Sequence, residues 1–441
     1  MPAAASPRRV RTVAVLVALQ LAGSGTAAVL LQPGPQPATG STSAVRAAPA
    51  EAQATRLTAV QALLRARGRA VLQRDRSAFL ATVDPRRKAF REEQGDLFDA
   101  LAGVPLTAWS YRVDADQVQR ADRTLDARYG TWWAPQVTLL HALKGIDEDP
   151  SESPQHLTFV ERADRWYIAS DSDFADRGDA STRGLWDGGR VVAVSGRHSL
   201  VLGHPGSRAE MRRLARDVDA AVPRVSEVWG TGWSQRVAVL VPGSQRELGQ
   251  IVHAGGDLTP IAALALAGPV RGGTAQGGDR VLVNPPNLAR LSGLGRRVVL
   301  AHEVTHVAAR AATGPLVPSW LAEGLADHVG YLGAGVPVRL AASELREDVL
   351  AGRLPKRLPT DADFDSDNPD LAEAYEQAWL AVELLVRRYG ERRFLTLYRD
   401  LGARREGDRA DALQDALQEV LGIGTARLVA DWRASLPGTL S

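Results

Sequence analysis

The chain has no cysteine among its 441 residues. This excludes disulfides, thiolate chemistry and a lipid-bearing cysteine, and it removes the ligands that usually close a structural zinc site. Export stays open, since a large domain buries enough surface to fold without staples. A charge surplus is also absent: 53 basic against 51 acidic side chains give a net charge of +2. The arginines are scattered, often beside acids, with no basic stripe or interleaved aromatics, so nucleic acid is not an expected partner. Two stretches that suggest ligand loops lack essential parts. The glycine-rich run at 272–278 has no phosphate-loop spacing and no following helix, and reads as a hairpin loop. Asp361, Asp363, Asp365 and Asp367 alternate like a calcium loop. Ser366 stands where that loop needs Gly and Ala372 where it needs Glu, which leaves an acidic surface loop.

What is present is a globular composition, 45% hydrophobic and 24% charged, over a length that suggests two or three domains. Arg8, Arg9 and Arg11 precede an apolar run from Thr12 to Leu31. Positive charge ahead of an apolar stretch directs the downstream chain outward. Residues 1–31 therefore read either as a signal peptide, with small residues for cleavage at Gly25-Thr26-Ala27, or as a membrane anchor of sufficient length. Either way the bulk of the chain is expected outside the cytoplasm. Residues 32–55 read as a flexible tether rich in Pro and Ala.

Residues 56–175 read as a small α+β unit. Leu57, Val60, Leu63, Leu64, Val71 and Leu72 share a helix face. A second helix is expected over 90–101, then strands over 109–113, 136–143, 157–160 and 166–170, the last two as a hairpin. Trp132 and Trp133 read as core aromatics, with a ligand cleft as the alternative. The polar stretch 176–186 is a linker. Beyond it come strands over 191–194 and 199–202, and a helix over 208–229 that Pro223 should kink or split. Next come a buried strand over 237–241, a short helix over 245–252 and strands over 261–267 and 281–284. A strong helix over 371–389 ends at Gly390, and one or two helices within 411–432 close the chain.

The chemistry gathers at His302-Glu303-Val304-Thr305-His306. On a helix, positions i and i+4 lie one turn apart on one face, so both histidines can address one metal ion. Glu303 stands about 100° around the helix, beside the metal, where a general base can take a proton from an activated water. Gly314, Pro315 and Pro318 break that helix, and Ser319 is a suitable cap for a second one. The second helix carries Glu323, able to supply a third ligand, and Asp327 on the same face, placed to hold the outer N–H of a ligand histidine. Two His and one Glu with an open fourth position is the catalytic zinc pattern.

These residues resemble the gluzincin zinc metallopeptidases, in particular the peptidase MA-like domains of bacterial extracytoplasmic proteins. The resemblance rests on His-Glu-x-x-His followed by Trp-Leu-x-Glu-Gly-x-Ala-Asp and covers residues 187–441. It implies one Zn2+ on His302, His306 and Glu323, with Glu303 as base and later proton donor, and Asp327 as the partner of His302. It also implies a tyrosine from a downstream helix at the oxyanion, for which Tyr375 is the expected residue and Tyr331 the rival. Gluzincins take substrate as an added strand on a sheet edge, expected here at residues 281–284. The helices-then-sheet order of the N-terminal unit resembles the NTF2-like domains. The expected fold is α+β: an N-terminal module of helices and a curved antiparallel sheet, then a gluzincin-like metallopeptidase domain with a small mixed sheet followed by helices. The expected function is extracytoplasmic hydrolysis of peptide bonds in a peptide or protein substrate, with the membrane a further partner if the N-terminal segment is uncleaved. The alternatives are a metal-binding envelope scaffold without turnover and a zinc hydrolase acting on an envelope amide.

Overall fold

The computed structural model describes residues 47–120, 122–252, 258, 261–266, 270–271, 274–275, 278–366 and 368–441. The leader or anchor expected at 1–31 and residues 32–46 of the tether lie outside them. Among the described residues no helix is long and apolar enough to cross a membrane. The fold is α+β.

The N-terminal unit opens with α1 (Ala47–Gln73), α2 (Arg76–Leu80) and α3 (Lys88–Ala100). Val60, Leu64 and Val71 are the buried stripe of α1. The Asp75 carboxylate caps α2, accepting from the Ala78 amide at 2.9 Å. The chain continues through β1 (Leu106–Val118), α4 (Arg123–Tyr129), β2 (Trp132–Trp133), β3 (Pro135–Leu143), β4 (Ser151–His156), β5 (Thr158–Arg162) and β6 (Arg165–Ser170). The strands form two antiparallel sheets, β1-β3-β4 and β2-β5-β6. Trp133 packs into the core with Val60 and Phe159. β4 is an addition to the expected strands. Its Ser-Glu-Ser-Pro-Gln-His lacks apolar alternation, and Pro154 is tolerated because β4 is an edge.

The second unit is built on β7 (Val192–Ser195), β8 (Ser199–Gly203), α5 (Arg208–Trp229), β9 (Val237–Val241), α6 (Gln245–Val252), β10 (Ala263–Leu266), β11 (Val270–Arg271), β12 (Thr274–Ala275) and β13 (Arg280–Val283). β11 and β12 pair as a short hairpin. The other five strands make one mixed sheet in the order β10-β13-β9-β8-β7, parallel in the middle and antiparallel at both edges. β8 and β9 are apolar runs because both of their faces are covered. Val201, Val239 and Val241 pack with Met211, Leu214 and Val218 of α5 on one face. Leu200, Leu202 and Ala238 pack with Phe79, Phe98 and Leu139 of the N-terminal unit on the other.

Two expectations need correcting. α5 is not split at Pro223: one helix continues through it. A proline costs about 3 kcal/mol inside a helix. Leu214, Val218, Val222, Val225 and Val228 are buried on both sides of it, and each contributes about 1.5–3 kcal/mol, so the stripe prevails. Residues 281–284 are not at an edge either. The chain passes out to β10 and returns antiparallel, which places β13 between β9 and β10. The edge on that side is β10.

The remainder is helical: α7 (Pro285–Leu288), α8 (Gly293–Ala309), α9 (Ser319–Tyr331), α10 (Val338–Ala341), α11 (Ser343–Leu350), α12 (Leu371–Tyr389), α13 (Glu391–Ala403), α14 (Arg409–Leu421) and α15 (Thr425–Leu440). α9 packs against both α8 and α12, and α8 against β10. Asp361 and Asp363 of the acidic loop are engaged by Arg409 and Arg357; Asp367 lies outside the described residues.

Candidate metal centre

α8 starts where the Ser292 hydroxyl accepts from the Gly295 amide at 3.0 Å. Val298, Val299, Leu300, Ala301 and Val304 are at most 2% exposed. A helix apolar on every side is buried on every side, and it carries His302, Glu303 and His306 inside with it. α9 begins at Ser319, with Pro318 rather than Ser319 in the capping position. The Ser319 amide instead donates to Asp361 at 3.1 Å. Two glycines fit α9 between its neighbours. A Cβ on Gly324 would lie 2.5 Å from the Ala378 carbonyl oxygen of α12, and one on Gly330 would lie 3.1 Å from the Val298 carbonyl oxygen of α8. That close approach sets Glu323 and Asp327 over the histidine face of α8.

There the structure brings His302, His306, Glu323 and Asp327 together. Asp327 Oδ1 is 2.8 Å from His302 Nδ1. A carboxylate can only accept, so the neutral imidazole carries its proton on Nδ1 and turns a lone pair on Nε2 inward. That Nε2 lies 2.9 Å from His306 Nε2 and 3.1 Å from Glu323 Oε2, and the last two atoms are 3.2 Å apart. Three lone-pair atoms thus crowd one point. A tetrahedral zinc with ligands at about 2.0–2.1 Å would space them by about 3.3 Å, so the donor set fits such an ion. His302, His306 and Glu323 could hold a metal. Charge agrees: Glu303, Glu323 and Asp327 are all at most 5% exposed, beside two imidazoles. A buried surplus of carboxylate is costly unless a cation offsets it.

Left to protons alone, the cluster would gather them. Burial pushes the His302 imidazole down, but Asp327, Glu323 and Glu303 outweigh it and hold it up at about 10. Burial raises Glu303 to about 8, with Glu323 adding to the rise and His302 opposing it. Glu323 goes the other way: burial resists its ionisation, yet His306 and His302 bring it down to about 2. Glu303 is the distinctive group. It is fully buried, and neither carboxylate oxygen makes a hydrogen bond. The Ala265 amide of β10 acts on it electrostatically without reaching hydrogen-bond geometry. Buried polar groups are nearly always paired, so an unpaired carboxylate beside three metal-ligand atoms calls for a functional account.

Tyr375 stands at the start of α12, 4% exposed, its ring 6.3 Å from that of His302. Burial and the nearby Glu323, Glu303 and Asp327 keep its phenol well above the usual range, hence protonated. Tyr331 is stacked on Trp379 at 4.5 Å between ring centres. His328 turns away from the ligands, its Nδ1 2.7 Å from Glu383.

Sequence reasoning missed two parts of the site. One is the pair of helix-fitting glycines, for which glycine within a helix that also carries Glu323 was the available signal. The other is the β10 edge. Ala262 C=O accepts from the Asn284 amide across the β10–β13 boundary. Backbone direction alternates along a strand, so the N–H and C=O of Ala263 and Ala265 point outward, and Ala265 reaches toward Glu303.

No family model matches the chain, and no curated protein does. Among solved structures it is similar to an M1 zinc metallopeptidase from Deinococcus radiodurans, at 14% identity and TM-score 0.32, covering 62% of this chain and 58% of that one. It is also similar to native yeast LTA4 hydrolase, at 15% identity and TM-score 0.35, covering 68% of this chain and 49% of that one. The chain thus matches less than two thirds of either protein's length. Likeness at that level says nothing of activity.

Proposed function

We propose that the chain is a zinc-dependent peptidase that hydrolyses peptide bonds outside the cytoplasm. One observation carries the reading: the unpaired, fully buried Glu303 carboxylate next to the converging atoms of His302, His306 and Glu323. Zinc on those three side chains supplies Lewis acidity, lowering the pKa of a water to about 7 and polarising a carbonyl. Glu303, beside a dication, returns toward its ionised form. It then takes a proton at a carboxylate oxygen and returns it to the leaving amine. The Asp327 carboxylate holds His302 in the tautomer that offers Nε2. Tyr375, protonated, can donate to the oxygen on which negative charge develops. The outward backbone groups of Ala263 and Ala265 offer an extended peptide a strand to pair with, a mode that recognises main chain more than side-chain identity. Arg8, Arg9 and Arg11 ahead of the apolar run support export, to an anchored or a released form.

The test is metal content by elemental analysis on the purified full chain, beside Glu323→Ala, followed by digestion of a peptide library. About one zinc in the wild type, its loss in the variant, and cleavage that stops on chelation are expected. Zinc without any cleavage would leave a metal-binding scaffold. No zinc in either protein after metal-replete purification would end the peptidase reading.

A further inference from the structure

The N-terminal unit and the five-stranded sheet do not close completely on each other. Between them lies a cavity of about 530 Å³, within the range of small-molecule sites. Trp109, Leu139 and Trp186 line one side, and Leu202, Leu240 and Leu266 of the sheet line the other. Its wall also carries charge. Arg183 is paired with Asp171 and Asp187, at 2.9 and 3.3 Å. Arg280 is paired with Asp147 at 2.6 Å, and Glu152 with Arg112 at 2.7 Å. Arg67 lines the same cavity, is 5% exposed, and has no carboxylate partner among the described residues. Its partners are all neutral: the Tyr111 hydroxyl at 3.3 Å, the Thr82 hydroxyl at 3.0 Å and the Gln94 side-chain oxygen. The guanidinium also lies 3.7 Å over the Phe79 ring. Three of five N–H donors are thus engaged, and no carboxylate among the described residues touches the charge, in a place where charges are normally paired.

We infer that this cavity binds a small amphipathic carboxylate, with its anion on Arg67 and its apolar body against the aromatic and leucine walls. A planar fork with donors to spare suits a carboxylate. The apolar remainder excludes a strongly hydrated anion such as inorganic phosphate, which would forfeit its shell along those walls. The shared chemistry could come from a free acid or from the C-terminal residue of an apolar peptide.

Calorimetric titration of the full chain with decanoate, decanol and N-acetyl-Leu-Leu tests it. The wild type should bind an acid at least about tenfold tighter than decanol, the scale of a charged hydrogen bond. Tighter binding of decanoate identifies a free acid, and tighter binding of N-acetyl-Leu-Leu a peptide C-terminus. Arg67→Gln should erase the preference over decanol, and Arg67→Lys should restore part of it. Ser153→Trp, on the cavity wall with Arg67 untouched, should abolish binding of all three while the thermal midpoint holds. Equal affinity of the wild type for acid and alcohol, or no binding of either acid, overturns the inference. So does a preference that persists in folded Arg67→Gln. If Arg67→Gln does not fold, unchanged acid binding by Ser153→Trp overturns it alone.

Discussion

On one face of the five-stranded sheet, α8 and α9 bring His302, Glu303, His306, Glu323 and Asp327 together inside an apolar core. On the other, two tryptophans and a set of leucines surround a cavity onto which Arg67 opens with no carboxylate partner among the described residues. Both regions are buried, and both hold an ionisable group with hydrogen-bonding capacity to spare: the Glu303 carboxyl on the first face, the Arg67 guanidinium on the second. The difference lies in what surrounds each group. Glu303 has lone-pair atoms beside it, which suits a metal and a proton in motion. Arg67 has neutral donors and acceptors and apolar walls, which suits a stationary anion. Burial alone therefore does not identify a function; the partners that remain unsatisfied do.

The sharpest break in this comparison is Glu303→Gln. It keeps shape and volume while removing the group that takes the proton. Turnover should fall about 10²–10⁴-fold with zinc content unchanged by elemental analysis, and decanoate affinity on the opposite face should not move. Retained turnover would remove Glu303 as the base and leave its burial unexplained. A smaller effect on the same face is expected from Asp327→Asn. The amide oxygen can still accept from His302 Nδ1, now 2.8 Å from the carboxylate, but without the charge that raises the ligand's basicity, and competitive chelation should show zinc held about 10–100-fold more weakly. Unchanged affinity would make Asp327 a packing residue.

The second face answers to pH instead. His141 lies between Trp109 and Trp186, and its Nδ1 is sealed without a hydrogen-bond partner. Burial first and Arg280 second lower its pKa to about 4, against a weaker pull upward from Asp147. The unfolded chain then takes up a proton that the folded chain refuses. Stability is full above the ordinary histidine value near 6.5 and falls as pH drops from there toward 4. The ring keeps some exposure toward the cavity, so the loss should be on the order of 2 kcal/mol, less than the whole shift implies. Urea midpoints at pH 7 and pH 5 in the wild type and in His141→Phe would measure it; equal pH slopes in the two proteins would show that His141 is not the group.

The metal face was the more legible of the two in the sequence, for a physical reason. Helical spacing is local: His302 to His306 and Glu323 to Asp327 each span one turn, so residue order alone fixes which side chains share a face. Strand order is not local. Residues 281–284 look like an edge strand until β10 is seen to lie outside them, and nothing within either strand records this. The apolar runs of β8 and β9 announced two covered faces without naming the covers, so the layer of Leu200 and Leu202 against Phe98 was invisible. Arg67 was hidden in another way. It sits between Arg65 and Arg69 on α1, and although its spacing from Leu64 and Val71 places it on their face, only packing shows that it is buried there without a carboxylate partner among the described residues.

Gly324→Ala probes why α9 can stand so close to both α8 and α12, and its expected effect is the smallest. A Cβ there would meet the Ala378 carbonyl oxygen at 2.5 Å and Val382 Cγ2 at 2.6 Å. Overpacking of that kind costs about 1–3 kcal/mol. Alanine in place of a helical glycine returns about 0.5–1 kcal/mol, so the net loss should be about 1 kcal/mol, a drop of a few degrees in the thermal midpoint. Relief requires α9 to move off α12, and Glu323 is the adjacent residue. Zinc affinity should therefore fall together with stability, whereas the decanoate affinity of the cavity beyond the sheet should hold. A stability loss with unchanged zinc affinity would show that the strain is absorbed by α12, and that the glycine serves packing without setting the position of the third ligand.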